Sequence, residues 1–307
     1  MLSHTGSNHC PRLHFTSWLM GLALTILALA AQAAPPTLEK IAKSGTVVLG
    51  YRDAALPFAY LDDNKRPIGY SVDICLKIVD AIKRELKRND LNIKYVPVTA
   101  ATRLTALTEN EIDLECGMTT STAERRKQVA STIPTFVSSA RLLAPASSSI
   151  KSIYDLTGKT VVTTKGTSSE TLFNDINKNH TLRAKLVLGK DHNESFALLE
   201  SGKADVFIMD DVILASMRAT AKDPDKYLLS RDPLTIEPLS IMLRKDDPAF
   251  KKLVDGELYR AIMQGEINTL YRKWFESPIP PKQVNLKLPM SYLLRDSFKS
   301  PTDWLPQ

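Results

Sequence analysis

The sequence lacks the short motifs by which many catalysts are recognised. There is no H-E-x-x-H zinc signature, no G-x-S-x-G nucleophile elbow and no phosphate-binding P-loop, which excludes the enzyme classes that those motifs define. It also lacks a charge of one sign in bulk. The 40 basic and 34 acidic residues leave a net charge of +6, and the basic residues are scattered; even Arg125-Arg126-Lys127 stands beside Glu124. A nucleic-acid-binding arm is excluded, and no nucleic-acid partner is expected. Beyond the N-terminus no run is long and apolar enough to cross a bilayer. Cysteine is scarce, with three in 307 residues.

What is present begins with Arg12 and the apolar run from Trp18 to Ala30, followed by Ala31-Gln32-Ala33 and Ala34-Pro35-Pro36. A short apolar core ending in a small-x-small site is a secretory signal peptide, residues 1–33, cleaved near Ala33. No cysteine follows the run closely, so no lipid anchor is expected there, and the mature chain is expected to be soluble and exported. Cleavage removes Cys10 and leaves Cys75 and Cys116. Two cysteines in an oxidising compartment point to one disulfide, with two separate buried thiols as the alternative.

The rest reads as alternating strands and helices. Strands are expected at Gly45–Gly50, Leu91–Val96 and Ile112–Cys116, with helices from Ser71 to about Arg88 and from Thr99 or Thr102 to about Glu109. This is the rhythm of a parallel sheet with helical crossovers. Ala140–Ala144 then forms an extended crossing into a second unit, with strands at Thr160–Thr163, Leu186–Leu188 and Asp205–Met209 and helices at Ser168–Lys178, Glu194–Ser201 and Val212–Thr220. Pro238–Leu243 reads as the crossing back, followed by helices at Pro248–Gln264 and Glu266–Phe275 and a proline-punctuated tail that wraps the first unit. The expected class is α/β: two lobes, each a mainly parallel sheet flanked by helices, joined by two hinge strands. Lobe 1 spans 34–141 and 242–307, and lobe 2 spans 142–241.

Ligands of such sheets sit beyond the C-terminal ends of the strands, which two lobes can turn towards each other across a cleft. One stretch stands out, Asp113–Arg125. Its first half reads as a strand ending at Gly117, and its second opens a helix through a capping box of Ser121 and Glu124. The Thr120 hydroxyl, a helix N-terminus and the Arg125 guanidinium together make a carboxylate receptor. An ordinary capped helix with a solvent-facing arginine is the alternative for that stretch alone. Gly166-Thr167-Ser168 repeats the device in the second lobe. The first lobe's strand ends add Arg52 and Arg103, and the second lobe's add His192 and Asp210. Three arginines, a histidine and two helix starts can hold two carboxylates, while Asp210 holds an ammonium: the charge complement of an acidic amino acid. No metal site, cofactor or catalytic residue is expected.

The ordered set Gly50-Tyr51-Arg52, Pro57-Phe58, Gly69–Asp73, Glu115-Cys116-Gly117, Thr120–Arg125, Gly166–Glu170, Lys190-Asp191-His192, Met209-Asp210-Asp211, Leu243–Pro248, Lys273-Trp274-Phe275 and Pro278–Pro281 resembles solute-binding protein family 3, and within it the periplasmic glutamate/aspartate binders of ATP-binding-cassette importers. The likeness runs over essentially the whole mature chain. It implies a type II periplasmic-binding fold and a monomer that closes on its ligand and docks on an inner-membrane permease. It also implies roles: Arg125, Thr120 and Ser168 on the α-carboxylate, Asp210 on the α-ammonium, and Arg52, Arg103 and His192 around the side-chain carboxylate. The chain departs from the family's acidic-amino-acid binders at Ala100, where they carry serine, and at Met118, where a serine or other small residue follows Cys-Gly. Two other functions share the scaffold. One is a periplasmic enzyme of the cyclohexadienyl or arogenate dehydratase kind, for which only His192 and Asp210 offer general acid–base groups. The other is a protein that presents its ligand to a separate receptor.

Overall fold

The computed structural model describes residues 36–303; the segment expected to be a signal peptide lies outside them. β-Branched runs build two sheets of matching design. The first has the order Asn92–Pro97, Thr46–Tyr51, Leu114–Thr120, Glu237–Arg244, Val129–Ser131, with Phe136–Ser138 also paired to Glu237–Arg244. The second runs Lys185–Gly189, Thr160–Thr164, Val206–Asp210, Ala140–Pro145, Tyr227–Leu229. In each sheet three strands are parallel, and the strand arriving from the other half of the chain is antiparallel. The sheets are therefore mixed, with a parallel core. Ala140–Pro145 belongs to the second sheet and Glu237–Arg244 to the first. The passages between lobes thus lie just before the extended segments seen in the sequence, at Ser139 and at residues 230–236.

The helix Tyr70–Leu86 covers the first sheet. It buries Ile74, Cys75, Ile78, Val79 and Ile82, while Leu76 and Leu86 pack at the rim. Complete burial of a side chain such as Ile78 or Ile82 stabilises by roughly 1.5–3 kcal/mol. Cys75 on this helix is bridged to Cys116 on Leu114–Thr120, with 6.1 Å between their Cα atoms. The expected disulfide is formed, and it pins the helix to the strand that ends at Thr120.

The chain's last part returns to the first lobe. Asp247 caps the helix Pro248–Met263 by accepting from the Phe250 amide at 3.1 Å, and it also accepts from the Thr37 amide at 2.6 Å. Phe275 stacks on Tyr271 and Phe136 at ring separations of 4.5 and 5.0 Å. The tail follows the first lobe through Lys251–Asp303, at 2.7 Å, and Tyr60 Oη donating to Pro280 O, at 2.7 Å. The tail also reaches the second lobe: Lys282 Nζ donates to Thr220 O at 3.2 Å, at the end of the helix Asp211–Thr220. Among the described residues no helix is long and apolar enough to cross a membrane.

Candidate functional site

The C-terminal ends of the parallel strands face one another around a tight space of only about 10 Å³. Arg52, just past Thr46–Tyr51, lines it with Arg103, the first residue of the helix Arg103–Thr108, and Thr120, the last of Leu114–Thr120. From the second lobe come Ser168, which opens the helix Ser168–Asn179, His192, which opens His192–Glu200, and Asp210, which ends Val206–Asp210. Six of the seven residues singled out in the sequence therefore meet here. Arg125 stands outside the lining. Its Nη1 donates to Thr120 O at 3.0 Å and its Nη2 to Gly166 O at 3.2 Å, so it ties the main chains of the two lobes together.

Local structure departs from the sequence reading at the first anion seat. The strand does not stop at Gly117 but runs on to Thr120, because Leu239 and Ser240 of the antiparallel neighbour pair with Thr120 and Thr119. The Ser121 amide then donates to Pro238 O, which moves the cap to Thr122, whose hydroxyl accepts from the Arg125 amide. Ser121 instead donates its hydroxyl proton to Ser131. In the second seat the Gly166 amide is spent on Glu170 Oε2, at 2.7 Å. Gly166 has φ +79°, and a Cβ there would lie 2.6 Å from Ala101 Cα across the cleft. Only glycine suits both the left-handed backbone and that approach.

Two acids missed in the sequence complete the site. Glu115 is fully buried and accepts from Thr119 Oγ1 at 2.7 Å. It lies in the field of Arg52, Arg103 and Arg125 and offsets their mutual repulsion. Gly117 makes room for it, since a Cβ there would stand 2.2 Å from Glu115 Oε1. Glu237, 4% exposed, accepts from Thr120 Oγ1 at 2.7 Å and from Ser168 Oγ at 2.6 Å. The available signal was an acid inside a stretch that otherwise reads as buried strand, since such a charge needs a partner.

Burial and the neighbouring Arg103 lower Arg52 to about 10, and burial with Arg103 lowers Arg125 to about 9. Both remain cationic at neutral pH. His192 is pushed well below its ordinary range by burial and by Arg52 and Arg103, so its imidazole is neutral. Asp210 is raised to about 8 by burial and by Glu237, so it holds its proton at neutral pH. Arg52 Nη1, Arg103 Nε and Asp210 Oδ1 are buried without a hydrogen-bond partner among the described residues. Guanidinium donors on one lobe and a carboxyl on the other therefore have unused bonding capacity, which is costly unless something small and polar can take it up. Met118, which departs from the family's pattern, lines the space and gives its carbonyl to Arg103 Nη1 at 3.3 Å; Ala100 is buried and is not among the lining residues. Among the described residues no group of three His, Cys, Asp or Glu side chains could hold a metal.

Two α/β lobes with charged side chains converging where their strand ends meet define a two-lobe binding protein. The chain belongs to the bacterial extracellular solute-binding proteins, family 3, whose model matches residues 47–277. It is 45% identical over 268 residues to the L-glutamate/L-aspartate-binding protein of Pseudomonas aeruginosa, covering 87% of this chain and 89% of that one. It is 42% identical over 274 residues to the glutamate/aspartate import solute-binding protein of Escherichia coli, covering 89% and 91%. Among solved structures, a mutant of the T. maritima protein ArgBP superposes with a TM-score of 0.68 at 26% identity, over 77% of this chain and 98% of that chain.

Proposed function

We propose that this chain is the periplasmic solute-binding component of an ATP-binding-cassette importer, that it captures glutamate or aspartate between its lobes, and that it delivers the amino acid as a monomer to an inner-membrane permease without chemical change. Residues 1–33 would direct export. Arg125, Thr120 and Ser168 would hold the α-carboxylate and Asp210 the α-ammonium. Arg52, Arg103 and His192 would surround the side-chain carboxylate. The observation that carries this reading is the pairing of unpartnered Arg52 and Arg103 donors with an unpartnered Asp210 carboxyl in one buried space, together with the likeness to the two bacterial glutamate/aspartate-binding proteins. An acidic amino acid supplies two acceptors and one donor, which matches that set. A handful of charge-assisted bonds, each netting ~1.5–3 kcal/mol, reaches roughly micromolar affinity after association costs.

Calorimetric titration of the purified protein with the amino acids and simple dicarboxylates tests this. Glutamate and aspartate should give heat and raise the melting temperature by mass action, and glutamine should bind more weakly. No heat and no thermal shift with any of them overturns the reading. A second reading, a lyase acting on a cyclic amino-acid precursor, draws on Asp210, whose carboxyl in the same space is raised above the ordinary carboxylate range by burial and by Glu237, as a general acid requires. Turnover of prephenate or arogenate would establish it in place of transport.

A further inference from the structure

Glu237 is the first residue of the strand that returns from the second lobe to the first. Its carboxylate gathers three hydroxyls from three parts of the molecule. Oε2 accepts from Thr120 Oγ1 of the first lobe at 2.7 Å and from Ser168 Oγ of the second at 2.6 Å; Oε1 accepts from Thr235 Oγ1 of the hinge passage at 2.9 Å. A hydroxyl has one proton to give. The 3.2 Å approach of the Thr120 and Ser168 oxygens is therefore the convergence of two donors on one acceptor. While both donate to Glu237, neither can donate to another carboxylate. Arg125, which joins the lobes beside them, lies in the field of Glu237.

We propose that Glu237 is an internal stand-in for the ligand's carboxylate: it occupies the hydroxyl seat shared by the two lobes, holds the lobes together through it, and must yield Thr120 and Ser168 when an anionic ligand enters. This rests on the reading of those two hydroxyls as the α-carboxylate seat. Exchanging one carboxylate for another leaves the number of hydrogen bonds there nearly unchanged, so this end of the site contributes little net affinity. Discrimination then falls to the far end, where Arg52 and Arg103 have donors free. Glu237 is thus a residue that sets affinity by competition, and its removal should strengthen binding, the opposite of what loss of a supporting residue does.

The test is calorimetric titration of the native protein, Glu237→Gln and Glu237→Asp with glutamate, with small-angle scattering of each without added amino acid. The amide is a weaker acceptor for the two hydroxyls, and aspartate is one methylene too short to span them. Both variants should bind glutamate about 5- to 10-fold more tightly, as expected when a charged competitor is weakened. Both should also scatter as more open molecules than the native one. Equal or weaker binding in either folded variant, with the native protein giving normal heat, overturns the proposal and leaves the amino-acid reading intact. No heat from the native protein removes both.

Discussion

Arg52 of the first lobe reaches Nε2 of His192 in the second, with Nη2 at 3.5 Å. A guanidinium can only donate, so Nε2 must accept and the ring proton sits on Nδ1. Nδ1 then donates to Thr164 Oγ1 at 2.8 Å, Thr164 to Ser195 Oγ at 2.8 Å, and Ser195 to Asp191 O at 2.9 Å. The chain of donors has one direction throughout. A carboxylate that is to be held by His192 must reverse it, moving the ring proton to Nε2 while Thr164 donates back to Nδ1.

Because His192 is neutral when folded and its ionisation is suppressed by burial and two arginines, the unfolded chain binds the extra proton first. Stability should therefore be lost as pH falls below about 6.5. His192→Asn should flatten the acid side of a plot of melting temperature against pH.

Asp210 works on the other side of that plot. It is protonated in the folded protein up to about 8 and ionises near 3.9 when unfolded. Between those values the folded state binds more protons, so stability declines as pH rises from about 4 to 8. Asp210→Asn should raise the free energy of unfolding at pH 8 by on the order of 2 kcal/mol, with little change at pH 4. The same variant should lose binding of every α-amino ligand, checked by calorimetry.

Arg103 and Arg125 should separate by ligand. Arg103→Ala should cost about 2–4 kcal/mol for glutamate, a rise of roughly 30- to 1,000-fold in Kd, and much less for glutamine. Arg125→Ala should weaken both alike, because the α-carboxylate is common to them. An equal loss for glutamate and glutamine in Arg103→Ala contradicts the assignment of the far end of the site.

Gly166→Ala adds a methyl group between the lobes and strains a backbone at φ +79°. A stability loss of about 1–3 kcal/mol is expected, with weaker glutamate binding and a larger radius of gyration. By contrast, Ala100→Ser should leave glutamate affinity equal or better, since it adds one hydroxyl near the proposed distal carboxylate.

Loss of the bridge should be felt globally. Cys75→Ser with Cys116→Ser releases a loop of sequence separation 41, and chain entropy places the cost at roughly 2–4 kcal/mol. Denaturant unfolding measures it directly. Glutamate affinity at low denaturant should change less than stability does, because Cys116 is not part of the site lining.

Much of the architecture was legible because it is local. β-Branched runs at Thr46–Tyr51, Thr160–Thr164 and Val206–Asp210, and the apolar face of Tyr70–Leu86, declare themselves within a few residues. The site was legible in outline because open α/β sheets present their strand ends to ligands, which made Arg52, Arg103, His192 and Asp210 worth collecting. What stayed hidden depends on distant chain. Glu237 meets Thr120 and Ser168 across separations of 117 and 69 residues. Ser121 lost the cap to Thr122 because a strand more than a hundred residues away lengthened the ladder. Glu115 looked like an ordinary acid until three guanidiniums were folded around it.

Arg125 grips the lobes through the carbonyl oxygens of Thr120 and Gly166. Those acceptors belong to the main chain, so a change of side chain at Thr120 or elsewhere in the cleft, position 166 excepted, leaves their chemistry in place. Drift in side chains can retune what the cleft selects while the clasp itself keeps its partners, and a lineage can change diet without having to reinvent how its halves come together.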